Sequence, residues 1–170
     1  MFAGGSTVFD LPEEHVLKFN HLLTTLPILT EEWRVSFEVN PENYTDGFAQ
    51  VLHMTTGGSS SYTPALWFSK SYGIYIKTTI SGWTQTYPIS KEKLPIINEW
   101  TTVEISQTKR GSEYIFSLVI KDETLLCEEN TNPSQFSNVQ VFASSGFSGS
   151  TAQEGSIRRF QIENNAAGAE

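Results

Sequence analysis

The sequence predicts an all-β fold, in which two antiparallel sheets pack face to face as a sandwich. Apolar and polar side chains alternate along several short segments, which is the period of a half-buried strand. About ten such segments recur at spacings of about ten residues, with almost no helical pattern between them. Aromatic residues make up 12% of the chain, and Gly, Ser and Thr are frequent, as expected for strands joined by turns.

The stretch around which the rest of the chain is organised lies at 99–130 and predicts three strands joined by short turns. Val103 and Ile105 alternate with polar residues, and a polar turn follows at 108–112. The apolar positions on one face of the next strand are Tyr114, Phe116, Leu118 and Ile120. A second turn at 121–123 leads into a third strand. Consecutive strands with short turns form an antiparallel meander.

The segments before and after the meander extend the same pattern. The alternation at 31–39 places Trp33, Val35, Phe37 and Val39 on the inward face. The strand at 48–55 is apolar on both faces, which predicts a central position in its sheet. Residues 12–17 fit either a short edge strand or a helical turn. We expect the last strand, 156–163, to lie beside the first one.

Length and composition indicate one globular domain. The chain has 170 residues, 38% of them hydrophobic and 18% charged, which suits a protein with a real core. We assign 1–164 to a single sandwich domain and 165–170 to a flexible tail of small residues.

The net charge of the chain excludes some classes of binding partner. The net charge is −8, and both nucleic acid and anionic membranes require a basic face on the protein, so neither is an expected partner. No apolar run approaches the roughly 18 residues of a membrane span, so we expect no membrane insertion. Calcium or a basic partner suits this charge, and so does a simple solvated acidic surface.

The single cysteine, Cys127, excludes an intramolecular disulfide and a cysteine-based zinc site. We expect it to be a small buried residue of its strand, with a free reactive thiol as the alternative. The first six residues lack the charged and apolar regions of a secretion signal, so we expect an intracellular protein or an excised mature domain. The sequon at Asn43 counts for the extracellular alternative, which we adopt.

Particular residues carry a resemblance to a known superfamily. The run Trp100-x-x-Val103-x-Ile105, the hairpin strand at 114–120 and the turn at Asp122 resemble laminin G-like and pentraxin-like members of the concanavalin A-like lectin/glucanase superfamily. In that superfamily the turn usually ends in Asp-Gly, whereas Glu123 follows here. The closing pattern, from Asn132-Pro133 to Gly155-x-Ile157-Arg158-x-Phe160, is similar to its final strands.

This resemblance spans 30–164 and implies a concanavalin A-like jelly roll. It looks like a small non-catalytic animal extracellular module of this type, although a fold of this kind says little about function. The superfamily includes β-glucan hydrolases, whose Glu-x-Asp-x-x-Glu run supplies two carboxyls about 5 Å apart on one face of a strand. That run is absent, and Glu128 and Glu129 point to opposite faces. We therefore predict no catalytic residues and no enzyme.

Sugar binding is the function that we favour, because aromatic rings stack on the apolar faces of sugars. The predicted ligand-binding residues are Trp83, Tyr62, Tyr87, Tyr72 and His53. Core packing is the alternative for the aromatic residues, and we assign Trp33, Trp67 and Trp100 to the core. For His53 the alternative is a strand histidine whose hydrogen bonds are satisfied.

Calcium is the one cofactor that the resemblance implies, held at a sheet rim by Asp, Asn and backbone carbonyls. The predicted metal ligands are Asn43, Asp46, Asp122 and Glu129. We expect a glycan or protein ligand to bind the loops at 55–63, 81–87 and 144–155. The alternatives are a structural or adhesive domain of a larger extracellular protein, which would form oligomers, and an unrecognised glycoside hydrolase.

Overall fold

The computed structural model describes residues 5–58, 60–147 and 149–165, which form two β-sheets. In chain order the strands are β1 (Gly5–Leu11), β2 (His15–Val16), β3 (Leu22–Leu29), β4 (Trp33–Pro41), β5 (Ala49–Thr55), β6 (Ala65–Ser69), β7 (Gly73–Ile80), β8 (Trp83–Ile89), β9 (Thr101–Arg110), β10 (Glu113–Ile120), β11 (Glu123–Asn130), β12 (Phe136–Ala143), β13 (Thr151–Ala152) and β14 (Gly155–Asn165). A single turn of 3₁₀ helix, Lys91–Lys93, is the only helical element of this described part, which contains no helix able to span a membrane.

The strands divide equally between the two sheets. The first sheet has the order β1-β14-β4-β9-β10-β11, with β2 against β14. The second sheet has the order β3-β12-β5-β6-β7-β8, with β13 against β5. Every pairing is antiparallel except the two-residue contact of β13 with β5. The predicted all-β sandwich of two antiparallel sheets is confirmed. It contains more strands than predicted, because two-residue strands such as β2 and β13 are too short to give a sequence pattern.

The core lies between the two sheets. On β4 all four residues predicted to face inward are buried: Trp33, Val35, Phe37 and Val39. From the second sheet they meet a fully buried set on β6 and β7, namely Leu66, Phe68, Ile74 and Ile76. Strand β5 lies in the middle of its sheet and is buried along its whole length, so its predicted central position is confirmed.

The predicted meander is confirmed as β9, β10 and β11, and its second turn has an unusual composition. Lys121 and Asp122 both adopt positive φ, at 52° and 64°, and Ile120 pairs with Glu123 across the turn. Two central residues with positive φ form the hairpin turn whose twist matches that of the strands. Glycine is favoured at such positions, so this turn carries some conformational strain.

The first and last strands lie side by side, as predicted. Strand β1 pairs with β14, and Gly5 stands opposite Asn165 in the register. The predicted tail, 165–170, lies outside the described residues apart from Asn165. The helical-turn alternative for 12–17 is wrong, because His15 and Val16 pair with β14 as a strand.

Two residues predicted to be buried are not in the core. Cys127 is exposed, because it lies on edge strand β11 opposite Ser117, whose neighbours Phe116 and Leu118 take the inward positions. Trp100 precedes β9 and is half-buried beneath the Arg158 guanidinium, 4.1 Å from its ring centroid. In both cases the strand register, which the sequence alone does not give, decides whether the side chain faces the core.

Candidate functional site

The outer face of the second sheet carries a row of aromatic side chains. On β6 and β7 the inward positions are taken by core residues such as Leu66 and Ile76, so Trp67, Tyr75 and Lys77 point outward. The register places Trp67 opposite Tyr75 and Ala65 opposite Lys77. Three large side chains are thus brought together by two adjacent strands.

These residues line a groove with a volume of about 340 Å³. Its lining consists of Phe48, Tyr62, Trp67, Tyr75, Lys77, Thr86 and Ser150, and we call it the aromatic groove. The volume is within the range of small-ligand sites, at its lower end. Four rings supply flat apolar area, while the hydroxyls and the ammonium group offer hydrogen bonds.

The rings hold one another in place. Phe48 lies against Tyr75 with their ring centroids 4.3 Å apart, and it stacks on Tyr72 at 5.3 Å. Tyr62 meets Trp67 edge to face at 5.5 Å. Ring pairs at these separations stabilise each other beyond their buried area. A ligand therefore meets aromatic surfaces that are largely ordered before it binds.

The loop between β5 and β6 positions Tyr62. The Thr55 hydroxyl donates to the Gly58 carbonyl at 3.0 Å, and the hydroxyls of Thr56 and Ser61 lie 2.8 Å apart. The Thr63 N–H donates to the Met54 carbonyl at 2.8 Å, which closes the loop. These bonds bring the chain back toward β6, where Tyr62 contacts Trp67.

His53 lies beneath this loop and is only 2% exposed. Its Nε2 lies 2.8 Å from the Ser61 carbonyl, which fixes Nε2 as the protonated nitrogen and leaves buried Nδ1 without a partner in the described structure. Burial lowers the pKa of His53 below 6.5, and the bond to Ser61 opposes this shift. The ring stacks on Tyr62 with centroids 5.2 Å apart. His53 therefore supports Tyr62 from below as a neutral side chain.

Lys77 is the cation of the groove. Its Nζ lies 5.1 Å from the ring centroid of Tyr62 and 5.3 Å from that of Trp67. Among the described residues it forms no salt bridge with an acidic side chain. Two ring faces attract the ammonium group, and its charge remains available to a ligand.

The predicted ligand-binding residues fall into two sets. Tyr62 lines the groove, His53 lies beneath it, and Tyr72 is 60% exposed at its end against Phe48. Trp83 and Tyr87 do not belong to the groove, and their binding role, like that of the first three, stays a prediction.

The register explains why these two lie apart. Trp83 is 74% exposed, but it pairs with Ile80, a core residue, and therefore lies on the other side of the sheet from Lys77. Tyr87 pairs with Ile76 and packs against the core. Burial, and then the nearby charge of Glu128, raise the pKa of Tyr87.

The prediction that Trp67 belongs to the core is wrong, because it lies half-buried on the outer face. Strand β6 is apolar on both faces, so alternation could not show which way this ring points. Phe48 and Lys77 were also missed, and Tyr75 was not among the predicted ligand-binding residues. The only sequence signal for the groove was that Tyr75 and Lys77 alternate with the apolar residues of β7, which places them on the opposite face of that strand.

Each of the three predicted recognition loops contributes one residue to the groove. Tyr62 comes from 55–63, Thr86 from 81–87 and Ser150 from 144–155. The segment 81–87 is mostly strand, since β8 begins at Trp83. The groove therefore lies across the face of the sheet, with loops at its margins.

The predicted calcium ligands lie in separate places. The Asn43 carbonyl accepts from Gln153 and the Asp46 carbonyl accepts from Ser69, both in the region before β5. Asp122 is in the β10–β11 turn, and Glu129 is on β11. Within the described ranges no three His, Cys, Asp or Glu side chains come together as a metal site. Calcium binding stays a prediction.

A second depression, of about 300 Å³, lies on the outer face of the first sheet. Most of its charged groups are paired: Arg34 contacts Glu104 at 2.7 Å, and Glu38 accepts from Arg158 and Arg159 at 3.2 and 3.1 Å. These ion pairs satisfy each other, so most of the charge on this face is already engaged within the protein.

Comparison with known proteins gives structural likeness only. No protein-family model matches the chain, and no curated protein matches it. A native heptameric SAP-like pentraxin from Limulus polyphemus is 14% identical, with a TM-score of 0.58 over 90% of this chain and 73% of the pentraxin. The ligand-binding domain of botulinum neurotoxin serotype D, solved with N-acetylneuraminic acid, is 14% identical, with a TM-score of 0.60 over 92% of this chain.

A third similar structure is domain 4 of AbnA, an extracellular GH43 arabinanase from Geobacillus stearothermophilus, solved with arabinotriose. It is 14% identical, with a TM-score of 0.53 over 83% of this chain and 66% of that domain. The chain spans about half of the toxin domain, 47% of its length. Likeness at these identities shows the fold alone, and this chain has a concanavalin A-like jelly-roll sandwich fold.

Proposed function

We propose that this protein is a non-catalytic recognition domain that binds a glycan in the aromatic groove. One observation carries the proposal: Trp67, Tyr75 and Phe48 form an ordered aromatic lining beside the hydroxyl groups of Thr86 and Ser150. Sugar rings have apolar faces and hydroxyl edges, so they match a surface of flat rings flanked by hydrogen-bonding groups.

The groove differs from a hydrolytic site. Hydrolysis by a carboxyl pair requires two acids on either side of the scissile bond. None of the residues that line the groove is acidic. This supports binding without turnover, and incubation with laminarin and arabinan tests it: release of reducing sugar would contradict the non-catalytic part of the proposal.

The similar structures add support of a general kind. The toxin domain was solved with N-acetylneuraminic acid and the arabinanase domain with arabinotriose, so related sandwiches hold sugars. The arabinanase is described as extracellular. We propose an extracellular location for this domain as well, where glycans are accessible.

A glycan array probed with the labelled protein tests the proposal, followed by calorimetric titration of the best ligands. We expect binding of one sugar class, reduced by substitution of Trp67. Titration with calcium and then with a chelator tests the predicted ion in the same experiment. Absence of binding across the array, with and without calcium, would contradict the proposed function.

A second candidate function is adhesion through a protein partner or a second copy of this chain. Trp83 favours it, because this ring is 74% exposed on edge strand β8, whose outer backbone groups have no neighbouring strand. Analytical ultracentrifugation of the protein and of Trp83→Ser tests it. Concentration-dependent assembly that the substitution abolishes would support it, whereas a monomer at all concentrations would contradict self-association.

A further inference from the structure

The two sheets differ sharply in charge. The seven strands of the second sheet, all of whose residues the structure describes, contain one residue with a formal charge, Lys77. Acidic residues are instead found on first-sheet strands, such as Glu38 on β4 and Glu104 on β9. The acidic character of the protein therefore does not extend to the strands around the groove.

The same separation is visible along the chain. Between Asp46 and Glu92 the sequence contains three lysines and no acidic residue, in a protein whose net charge is −8. This stretch supplies six of the seven residues that line the aromatic groove. Such a separation provides a positive local potential on a protein that would otherwise repel anions.

The position of Lys77 makes this charge effective. Its Nζ lies over two neighbouring aromatic rings, at 5.1 and 5.3 Å from their centroids, with no salt bridge among the described residues. Apolar walls raise the strength of a charge interaction over its value in open water. A ligand anion that reaches Nζ would form a charge-assisted hydrogen bond there.

We propose that the aromatic groove selects acidic glycans, whose carboxylate or sulfate group binds Lys77 while a sugar ring stacks on Trp67. This inference rests on the proposed glycan binding and specifies its ligand class. It does not require calcium, because a cation already stands in the groove and no carboxylate lines it.

Matched pairs of ligands test it by calorimetric titration. The first pair is the galacturonic acid trimer and its methyl ester, which share the sugar rings and differ in charge. The second pair is sulfated lactose and lactose. At about 0.05 M salt we expect the charged member of at least one pair to bind at least about tenfold more tightly, and about 0.5 M salt should reduce this ratio. The pair that shows the preference identifies carboxylate or sulfate as the recognised group.

Lys77→Gln and Lys70→Gln each remove one positive charge, so comparing them separates the effect of a cation in the groove from the effect of net charge. Lys77→Gln should reduce the acidic preference to within about twofold, whereas Lys77→Arg, which keeps the charge, should retain it. Lys70→Gln removes a lysine from the turn between β6 and β7, outside the lining, and should leave the preference unchanged.

Three other outcomes would contradict the acidic preference, the role of Lys77 or the proposed glycan binding. Equal binding of charged and neutral members, with loss of both on substitution of Trp67, would overturn the acidic preference and leave glycan binding intact. A preference that survives in Lys77→Gln would overturn the role of Lys77. If neither pair binds and the glycan array is also silent, both proposals are wrong.

Discussion

The side-chain carbonyl of Asn130, on β11 of the first sheet, accepts a hydrogen bond from the Ser81 backbone N–H, in the β7–β8 turn of the second sheet, at 2.9 Å. The same side chain accepts from the Asn132 N–H at 3.1 Å and donates to the Gln107 side chain at 2.8 Å. Gln107 in turn donates to the Glu31 carbonyl at 2.7 Å. One buried amide thus connects the two sheets at this end of the sandwich.

We expect Asn130→Ala to lower the free energy of unfolding by about 2–4 kcal/mol, because it leaves the buried Gln107 carbonyl and the Ser81 N–H without partners. Urea denaturation followed by tryptophan fluorescence measures this. Asn132→Ala is the matched control, since that side chain is exposed and should change stability by less than about 0.5 kcal/mol. Equal losses in the two variants would contradict the link between sheets.

Trp67→Ala should weaken glycan binding by at least about tenfold, because it removes a groove face on which a sugar ring can stack. The change is to be measured on the best array ligand. Trp83→Ala is the control, as it removes a larger exposed tryptophan surface on the other side of the sheet. We expect its affinity to match that of the unaltered protein, and a loss equal to that of Trp67→Ala would place the site elsewhere.

His53 should make stability depend on pH below the neutral range. Its folded-state pKa is lowered from 6.5, so well above pH 6.5 it is neutral in both the folded and the unfolded chain and contributes no pH dependence. As the pH falls below 6.5, the unfolded chain binds the proton first, and the free energy of unfolding decreases by up to about 1.4 kcal/mol per pH unit.

Denaturation of the protein and of His53→Phe between pH 5 and pH 8, about the range over which an ordinary histidine titrates, measures this contribution. The phenylalanine variant keeps a ring against Tyr62 but cannot titrate, so we expect a smaller loss of stability toward low pH. His21→Gln, at a half-buried position outside the groove, is the control. Parallel pH profiles for His53→Phe and the unaltered protein would contradict the prediction.

Asp122→Gly should raise the free energy of unfolding by about 0.5–1 kcal/mol. Asp122 adopts φ of 64°, and glycine occupies this region without the steric penalty of a Cβ atom. Ser112→Gly, in the other turn of the meander, is the matched control. Positive φ in that turn falls on Gly111, so glycine at Ser112 adds only chain entropy and should give no gain. A thermal melt of both variants distinguishes the two cases.

The sequence predicted the sandwich because the strands of the first sheet are half-exposed. On β4, buried Val35 and Phe37 alternate with the solvent-facing Ser36 and Glu38, so the period is visible. Alternation gave no such guide on β6, where Leu66, Trp67 and Phe68 are all apolar although only the tryptophan faces outward. The groove was therefore hidden by the feature that makes it suitable for a ligand, an apolar outer face.

Other parts of the site depend on register, which no single segment contains. Register places Trp83, a predicted ligand contact, outside the aromatic groove, because its partner Ile80 faces the core; its binding role stays a prediction. Register is also why the assignment of Cys127 to the core failed. Tyr62 and His53 were predicted as ligand contacts individually, but their stacking could be seen only after the β5–β6 loop was folded.

The adjacency of β1 and β14 determines how the domain can be presented. Both strands belong to the sheet that faces away from the aromatic groove, and Gly5 pairs directly with Asn165. A tether or a fluorescent label attached at Gly5 or Asn165 would therefore begin on the layer opposite the aromatic groove. Attachment of the protein to a surface through these two strands would leave the aromatic groove facing the solution.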